Sequence, residues 1–536
     1  MTRVHAAGRA AFGILTLALV ASGCGWILGL DEFTDAPPPT EGTGGQGGGC
    51  EPGAAVACYE GPEGTEGVGV CAGGTTTCGE DGTAQGVCEG QVTPGAETCV
   101  NPADEDCDGR DCVVWAKLFG DISDQSVEGV AVDAGGNLYL AGSFQGTLAL
   151  DTGHPISANG SDIYVGKFDR EGTPLWSRAF GGPSGTAYVS GAMTDSDGNV
   201  IITGILNGTI DFDGTVLTKT SYQDVYVAKL SPEGAALWAI ALSPDELSSI
   251  ADPAIDSHNN IVLFGNSECG STCVPQTTKM WLYKLQPDGT PIWTKTFPFV
   301  EGLGNQIAGA VTVDPFDNIL VTGGFSETVT LGQSPLTTAG GFDIFVAKFD
   351  ATGAYIWRAK YGDGSDQRGA DIASDALGNV ILFGTYDGTV NFGAAGDELI
   401  ASGASDVYMA KLSSAKVHLW SKSFGGEGSD DAGRVAVLPD GTILFTGATV
   451  GQVDYGGGAL RGGGGTDIPL VKLDPEGGHL WSWVFGDGLD QTGSAVALTA
   501  AGDAILGAVV SGGVDVGSGL LSAGGGQDIL LAQFAP

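Results

Sequence analysis

Apolar and small residues alternate through Gly129–Phe144 (GVAVDAGGNLYLAGSF), interrupted once by a D-x-x-G-N turn. Two-residue alternation on both sides of a glycine-bearing turn is the pattern of a β-hairpin. It returns as GAMTDSDGNVIITGIL, DPAIDSHNNIVLFGNS, GAVTVDPFDNILVTGGF, DIASDALGNVILFGTY, RVAVLPDGTILFTGAT and AVALTAAGDAILGAVV. After each comes a looser Gly-rich segment and then a second β run, such as DIFVAKFDATGAYIW (Asp343–Trp357), with turns reading DREG, SPEG or DATG. Helical periodicity is missing from these units, so each supplies four consecutive strands.

The spacing of one residue type fixes the repeat. Trp115, Trp176, Trp238, Trp293, Trp357, Trp420 and Trp481 are separated by 61, 62, 55, 64, 63 and 61 residues. A fixed period on this scale marks a repeat architecture. Four-stranded units in series suit propeller blades; a β-helix has much shorter coils, and a sandwich needs more than one such unit. Seven first hairpins, seven third strands and seven Trp-bearing strands predict seven blades. The copies are out of phase with the chain, however. VVWAKLFG (Val113–Gly120) is a fourth strand with no blade before it, and DILLAQFAP stops after a third strand. A propeller that left both ends free would expose two sheet edges. The expected fold is therefore an all-β, seven-bladed β-propeller closed by an N-terminal outermost strand and preceded by a disulfide-rich stalk.

Units containing GTVNFG, DIFVAKFD and LWSKSFGG resemble the bacterial seven-bladed propeller repeat abbreviated SBBP, over about Trp115–Pro536. The D-x-T-G-x-x-x-W pattern of Asp350, Thr352, Gly353 and Trp357 is also similar to the tryptophan-docking motif of quinoprotein-type propellers, although Lys348 stands where that motif has Ala. This second likeness implies that each Trp packs between blades against a glycine of the neighbouring turn.

Composition changes the picture at the N-terminal end. Arg3 and Arg9 precede the apolar run AAFGILTLALV, too short for an ordinary membrane span. ASGC (Ala21–Cys24) follows and resembles a bacterial lipobox, which implies lipidation of Cys24 and cleavage before it. Residues 1–23 then form a lipoprotein signal peptide, and 24–49 a lipid anchor with a flexible Pro/Gly linker. Residues 50–112 form a Cys-rich, disulfide-stapled segment, and 113–536 the propeller. No Asp follows Cys24, so the resemblance implies the outer membrane or cell surface. Ten cysteines remain, an even number that suits disulfides in an oxidising compartment, with the connectivity of the first eight open. Cys269 and Cys273, in the irregular third blade, read as a local disulfide.

Charge narrows the partners. There are 64 acidic against 22 basic residues, a formal net charge of −42, which repels nucleic acid and anionic lipid head groups. One acidic stretch carries chemistry of its own. DEDCDG (Asp104–Gly109) matches the start of an oxygen-ligand calcium loop, making Asp104, Asp106, Asp108 and Asp111 candidate Ca2+ ligands, although position twelve is Trp115 in place of Glu. The surrounding sequence resembles the Cys- and Asp-rich metal-binding repeats of bacterial surface proteins. A second acidic pattern, GDISDQ, GDGSDQ and GDGLDQ, places Asp121, Asp124, Asp363, Asp366, Asp487 and Asp490 between blades as a candidate ligand face.

Recurrent Lys167, Lys229, Lys284, Lys348, Lys411 and Lys472 read as structural residues reaching a blade edge or a neighbouring turn. Of five histidines, His418 and His479 fall on outer strands and His258 in a turn, and no G-x-S-x-G elbow, P-loop, zinc or dinucleotide motif occurs. The sequence thus points to a lipid-anchored envelope protein that binds or scaffolds a protein or glycan, with no nucleic-acid partner and no certain cofactor. An extracytoplasmic polysaccharide hydrolase or lyase using channel-facing carboxylates is the alternative, and an outer-membrane assembly scaffold a third.

Overall fold

The computed structural model describes residues 50–536, apart from 63, 69, 96–106, 108–111, 152, 184, 243–246, 269–277, 298–304, 333 and 394–397. Cys24, Asp104, Asp106, Asp108, Asp111, Cys269 and Cys273 lie outside the described residues. Among the described residues there is no α-helix.

The chain divides into two compact units, and the division falls inside the Cys-rich segment. The smaller, whose described part is 50–56 and 76–86, is held by a disulfide between Cys50 and Cys78. The larger takes in 57–75 and 87–536. It carries disulfides Cys58–Cys88 and Cys71–Cys107, and Cys112 is also disulfide-bonded.

The larger unit contains seven sheets built on four antiparallel strands each. Numbered along the chain, blade one begins at Gly129 and blade seven at Gln491. The first strands pack side by side around a centre, and Gln491–Leu498 meets Gly129–Val132 to complete the ring. This is a β-propeller. Second and third strands, such as Leu138–Phe144 and Asp162–Phe168, are buried along their whole length. They lie between two neighbouring blades, which is why their sequences are apolar on both faces. The buried side chains accordingly form seven clusters, each shared by two adjacent blades, including one between blades seven and one.

The closing strand is where the phase of the repeat required it. Val113–Phe119 pairs antiparallel with Leu520–Phe534, Trp115 opposite Gln533, as the fourth strand of blade seven. The sheet therefore joins the two ends of the ring without a covalent link.

Five of the seven first hairpins turn on an Asp whose Oδ1 accepts backbone N–H groups two and four residues on, and Leu438 and Thr499 take its place in blades six and seven. Asp195 does this with Asp197 and Asn199, and the Asn199 amide bonds back to the carboxylate. The turn needs one residue at positive φ. Gly198 supplies it in blade two, while Asn259 and Asp317 adopt φ of 61° and 62° in blades three and four. Asn and Asp tolerate that region best among residues with a side chain, which explains the variation.

The recurrent lysines bind these turns. Lys229 Nζ lies 2.7 Å from Asp195, Lys284 2.8 Å from Asp256 and Lys348 2.7 Å from Asp314. Lys229 also donates to the Pro287 carbonyl in the next blade, at 3.2 Å. Trp238 Nε1 donates to the same oxygen at 3.0 Å. Trp176 and Lys167 converge in the same way on Pro232, and Trp420 and Lys411 on Pro475. The ring of Trp176 lies against Gly234, where an added Cβ would meet it at 3.1 Å. The docking arrangement implied by the tryptophan motif is thus present, with the lysine as a second donor.

One docking position is different. Blade seven has no turn between its third and fourth strands, because these come from opposite ends of the chain. Trp481, which would dock there, is buried with its indole N–H unpartnered. It stacks on Trp483 at 4.6 Å between ring centres instead.

Candidate functional site

A cavity of about 570 Å³ occupies the centre of the ring. Its walls are the first strands and consist mostly of Val, Ala and other small or apolar residues. Five charged residues line the cavity, Glu128, Asp133, Asp252, Asp371 and Arg434, and Asp133 is held by its own turn at Asn137.

Three of these hold equivalent positions. Four residues before the turn residue of each first hairpin stand Gly129, Gly191, Asp252, Ala310, Asp371, Arg434 and Ala495. Four copies are glycine or alanine, and three carry a charged side chain. The backbone is irregular at or beside this point. Strand pairing shifts between Gly369 and Asp371 and between Ala432 and Val435. In blade three the first strand is broken into Leu247–Ile250 and Ala254–Ile255, with Asp252 and Pro253 between. Bulges turn side chains away from the regular alternation, and Pro cannot donate to the ladder. The small residues opposite are needed too: a Cβ on Gly191 would stand 2.3 Å from Oδ1 of Asp252.

Arg434 grips Asp252 through two bonds, Nε to Oδ2 and Nη2 to Oδ1, both 2.9 Å. This is the bidentate fork of a strong charge-assisted pair. The two side chains still keep 29% and 32% of their surface open, so the pair is deep but wet. Asp371 accepts the Val435 and Ile372 N–H groups at 2.8 Å each. Glu128 lies just before the first strand of blade one, and its Oε2 is buried without a hydrogen-bond partner.

Burial pushes the Glu128 carboxyl up to about 7; Ser126 and Arg434 oppose the shift, and Asp252 adds to it. Burial likewise pushes Asp371 up to about 6, against the pull of Arg434. Asp252 is raised by burial, with Arg434 opposing. Two carboxyl groups in one cavity are therefore set to change charge near neutral pH, beside a permanent guanidinium. Such an arrangement can bind a polar or charged group in an apolar channel, or donate and accept protons.

The six aspartates of the GD-x-x-DQ loops are placed elsewhere, and none lines the cavity. Asp121 accepts the Ser123 and Thr147 N–H groups and the Gln125 amide. Asp363 and Asp487 repeat this with Ser365, Thr389 and Gln367, and with Leu489, Gly513 and Gln491. Asp124, Asp366 and Asp490 accept N–H groups of Gln527, Phe342 and Thr466 in the preceding blade. These carboxylates organise the crossings between blades. His418 and His479 are half-buried on outer strands, each near a serine hydroxyl, at 3.1 and 2.9 Å.

The cavity residues were not singled out by motif. The signal was present in the alignment of the seven copies, as three charged residues at a position otherwise small.

No family model matches the chain. The fold and the repeats define it as a β-propeller repeat protein. It is similar to an uncharacterized WD repeat-containing protein of Acanthamoeba polyphaga mimivirus, at 23% identity over 366 residues. The match covers 53% of this chain and 26% of that protein, so the chain spans about a quarter of its relative's length. Among solved structures it is similar to a protein of unknown function from Dyadobacter fermentans, with 10% identity, 79% of this chain and 98% of that one covered, and a TM-score of 0.39. A gluconolactonase from Xanthomonas campestris gives 13% identity, coverage of 63% and 87%, and a TM-score of 0.31. A puromycin hydrolase mutant gives 11%, coverage of 76% and 53%, and 0.40. Likeness at this level carries no argument about chemistry.

Proposed function

We propose that this is an SBBP-type, lipid-anchored protein of the cell envelope, whose propeller binds a protein or glycan ligand through its central cavity. The observation that carries the binding role is the cluster of Glu128, Asp371 and the Arg434–Asp252 pair on otherwise apolar walls. Small residues fill the equivalent positions in the other blades, so packing the ring does not require charge there. Anchoring through Cys24 at the outer membrane or cell surface rests on the lipobox-like ASGC. Calcium at Asp104, Asp106, Asp108 and Asp111 rests on the DEDCDG pattern. The test is capture from envelope extract by the full chain, with and without calcium, comparing wild type with Arg434→Gln. Loss of the captured partner in the variant supports the cavity as the site, and equal capture rejects it.

A second reading is favoured by one observation. Burial pushes the Glu128 carboxyl up to about 7, above Asp371 at about 6, which suits a general acid in a hydrolase or lyase. Release of product from envelope polysaccharide, abolished by Glu128→Gln, would establish it.

A further inference from the structure

We propose that the central cavity receives a monovalent organic cation, an ammonium or guanidinium group on a slim apolar stem, held by Glu128. The proposal rests on the reading of the cavity as the ligand site and names the chemistry it selects.

The charge balance points this way. Among the described residues, Glu128, Asp133, Asp252 and Asp371 are the acids of the cavity lining and Arg434 is its base. Asp133 is taken by Asn137 at 2.8 Å, with Lys167 at 3.5 Å. Asp252 is matched by Arg434 at both oxygens. Glu128 and Asp371 remain without a cation of their own, and Glu128 keeps one buried oxygen with no donor. A buried unmet acceptor is unfavourable, and a donor that carries positive charge answers both deficits.

Other ligand charges fit less well. An anion would find the Arg434 guanidinium already neutralised and two further carboxylates facing it. A divalent metal ion such as calcium takes six to eight oxygens. Here both Asp371 oxygens accept backbone N–H groups and both Asp252 oxygens are held by arginine. An ammonium offers three N–H donors and a guanidinium five, enough for the unmet Oε2 of Glu128. The walls beside them, Val130, Ala192, Val311, Ile372 and Val435, suit a methylene stem.

Cation binding favours the ionised form of Glu128, so the ligand expels its proton. The groups that face this carboxyl are Ser126, Arg434 and Asp252, with the hydroxyls of Tyr164 and Tyr226 further off. Both tyrosines stay neutral, and the other cavity carboxyl pushed toward neutrality is Asp371, at about 6.

The experiment is calorimetric titration of the full chain with n-pentylammonium and n-butylguanidinium, with pentanoate, n-pentanol and calcium as controls. Saturable binding of at least one cation is expected, roughly tenfold tighter at pH 8 than at pH 6, with proton release near neutrality. In Glu128→Gln, folded as judged by its thermal melt, the affinity should fall and the pH dependence between pH 6 and pH 8 should flatten. Failure of both cations to saturate overturns the proposal. So does equal binding of pentanoate or pentanol, displacement by calcium, or an unchanged pH profile in Glu128→Gln. If the cations fail while Arg434→Gln still abolishes capture from extract, the cavity remains the site and only its selectivity is rejected.

Discussion

The indole N–H of Trp115 donates to Oε1 of Gln533 at 3.0 Å, across 418 residues of sequence. This pair and the register around it hold the ring shut, since blade seven is assembled from the two ends of the chain. Trp115→Ala should cost about 3–5 kcal/mol, as for a large buried aromatic. Val114→Ala, one residue away but 42% exposed, should change stability by less than about 0.5 kcal/mol. Urea unfolding of the two variants checks the contrast, and similar midpoints would show that this strand does not close the ring.

Interlocking of blades gives a second prediction. Gly234 combines a φ of +84° with close contact to Trp176. Gly214 has a φ of +98° and nothing within 4 Å of an added Cβ. Alanine at either position meets the backbone penalty of about 1 kcal/mol. Only Gly234→Ala should add a further loss of about 1 kcal/mol or more through displacement of the indole. It should also shift tryptophan fluorescence, and Gly214→Ala should not.

The fold was legible because its signals are local. A turn aspartate, a positive-φ residue and a tryptophan every sixty or so residues each report on their own neighbourhood. The closing strand followed from the phase of the repeat alone. The site was harder to see, because Asp371 and Arg434 sit in strands that otherwise look like core and Asp252 in a break of one, and a bulge or break rather than a motif sets them there. Asp121, Asp363 and Asp487 looked more chemical than the cavity residues. Their oxygens are consumed by N–H groups two residues on and in the following hairpin, and a linear sequence does not show that demand. Lys229 and Asp195 were both visible, but their pairing depends on strand register and emerged only in three dimensions.

That pair supplies a third prediction. Lys229 and Asp195 are almost fully buried, so removing one partner leaves an uncompensated charge. Lys229→Met should destabilise the protein by about 3–5 kcal/mol, and the double variant with Asp195→Leu should recover part of this loss. Absence of any recovery would mean that the two groups are not coupled.

Acid should weaken the same network. Burial disfavours ionisation of Asp195, Asp256, Asp314 and Asp375, but the paired lysine, the turn amide and backbone N–H groups outweigh it. Each is held below the usual carboxylate range, so its contribution is present above the unfolded value of about 4 and lost as pH falls through the folded value. The thermal midpoint should therefore drop steeply below about pH 4.

Near neutrality the sign reverses. Glu128 and Asp371 are raised, to about 7 and about 6, so the folded protein holds protons that the unfolded chain releases above about pH 4.5. Stability should rise as pH is lowered from 8 to 5, by up to roughly 3 kcal/mol from Glu128. Glu128→Gln should flatten this slope, and an identical slope in the variant would place the titration elsewhere.

The central claim is that ligand binding belongs to the cavity and not to the aspartates between blades. Capture from envelope extract, compared for Glu128→Gln/Asp371→Asn and for Asp124→Asn/Asp366→Asn/Asp490→Asn, tests it most directly. Loss of the captured partner in the cavity variant alone is the predicted result. Retention there, with loss in the inter-blade variant, would contradict the account.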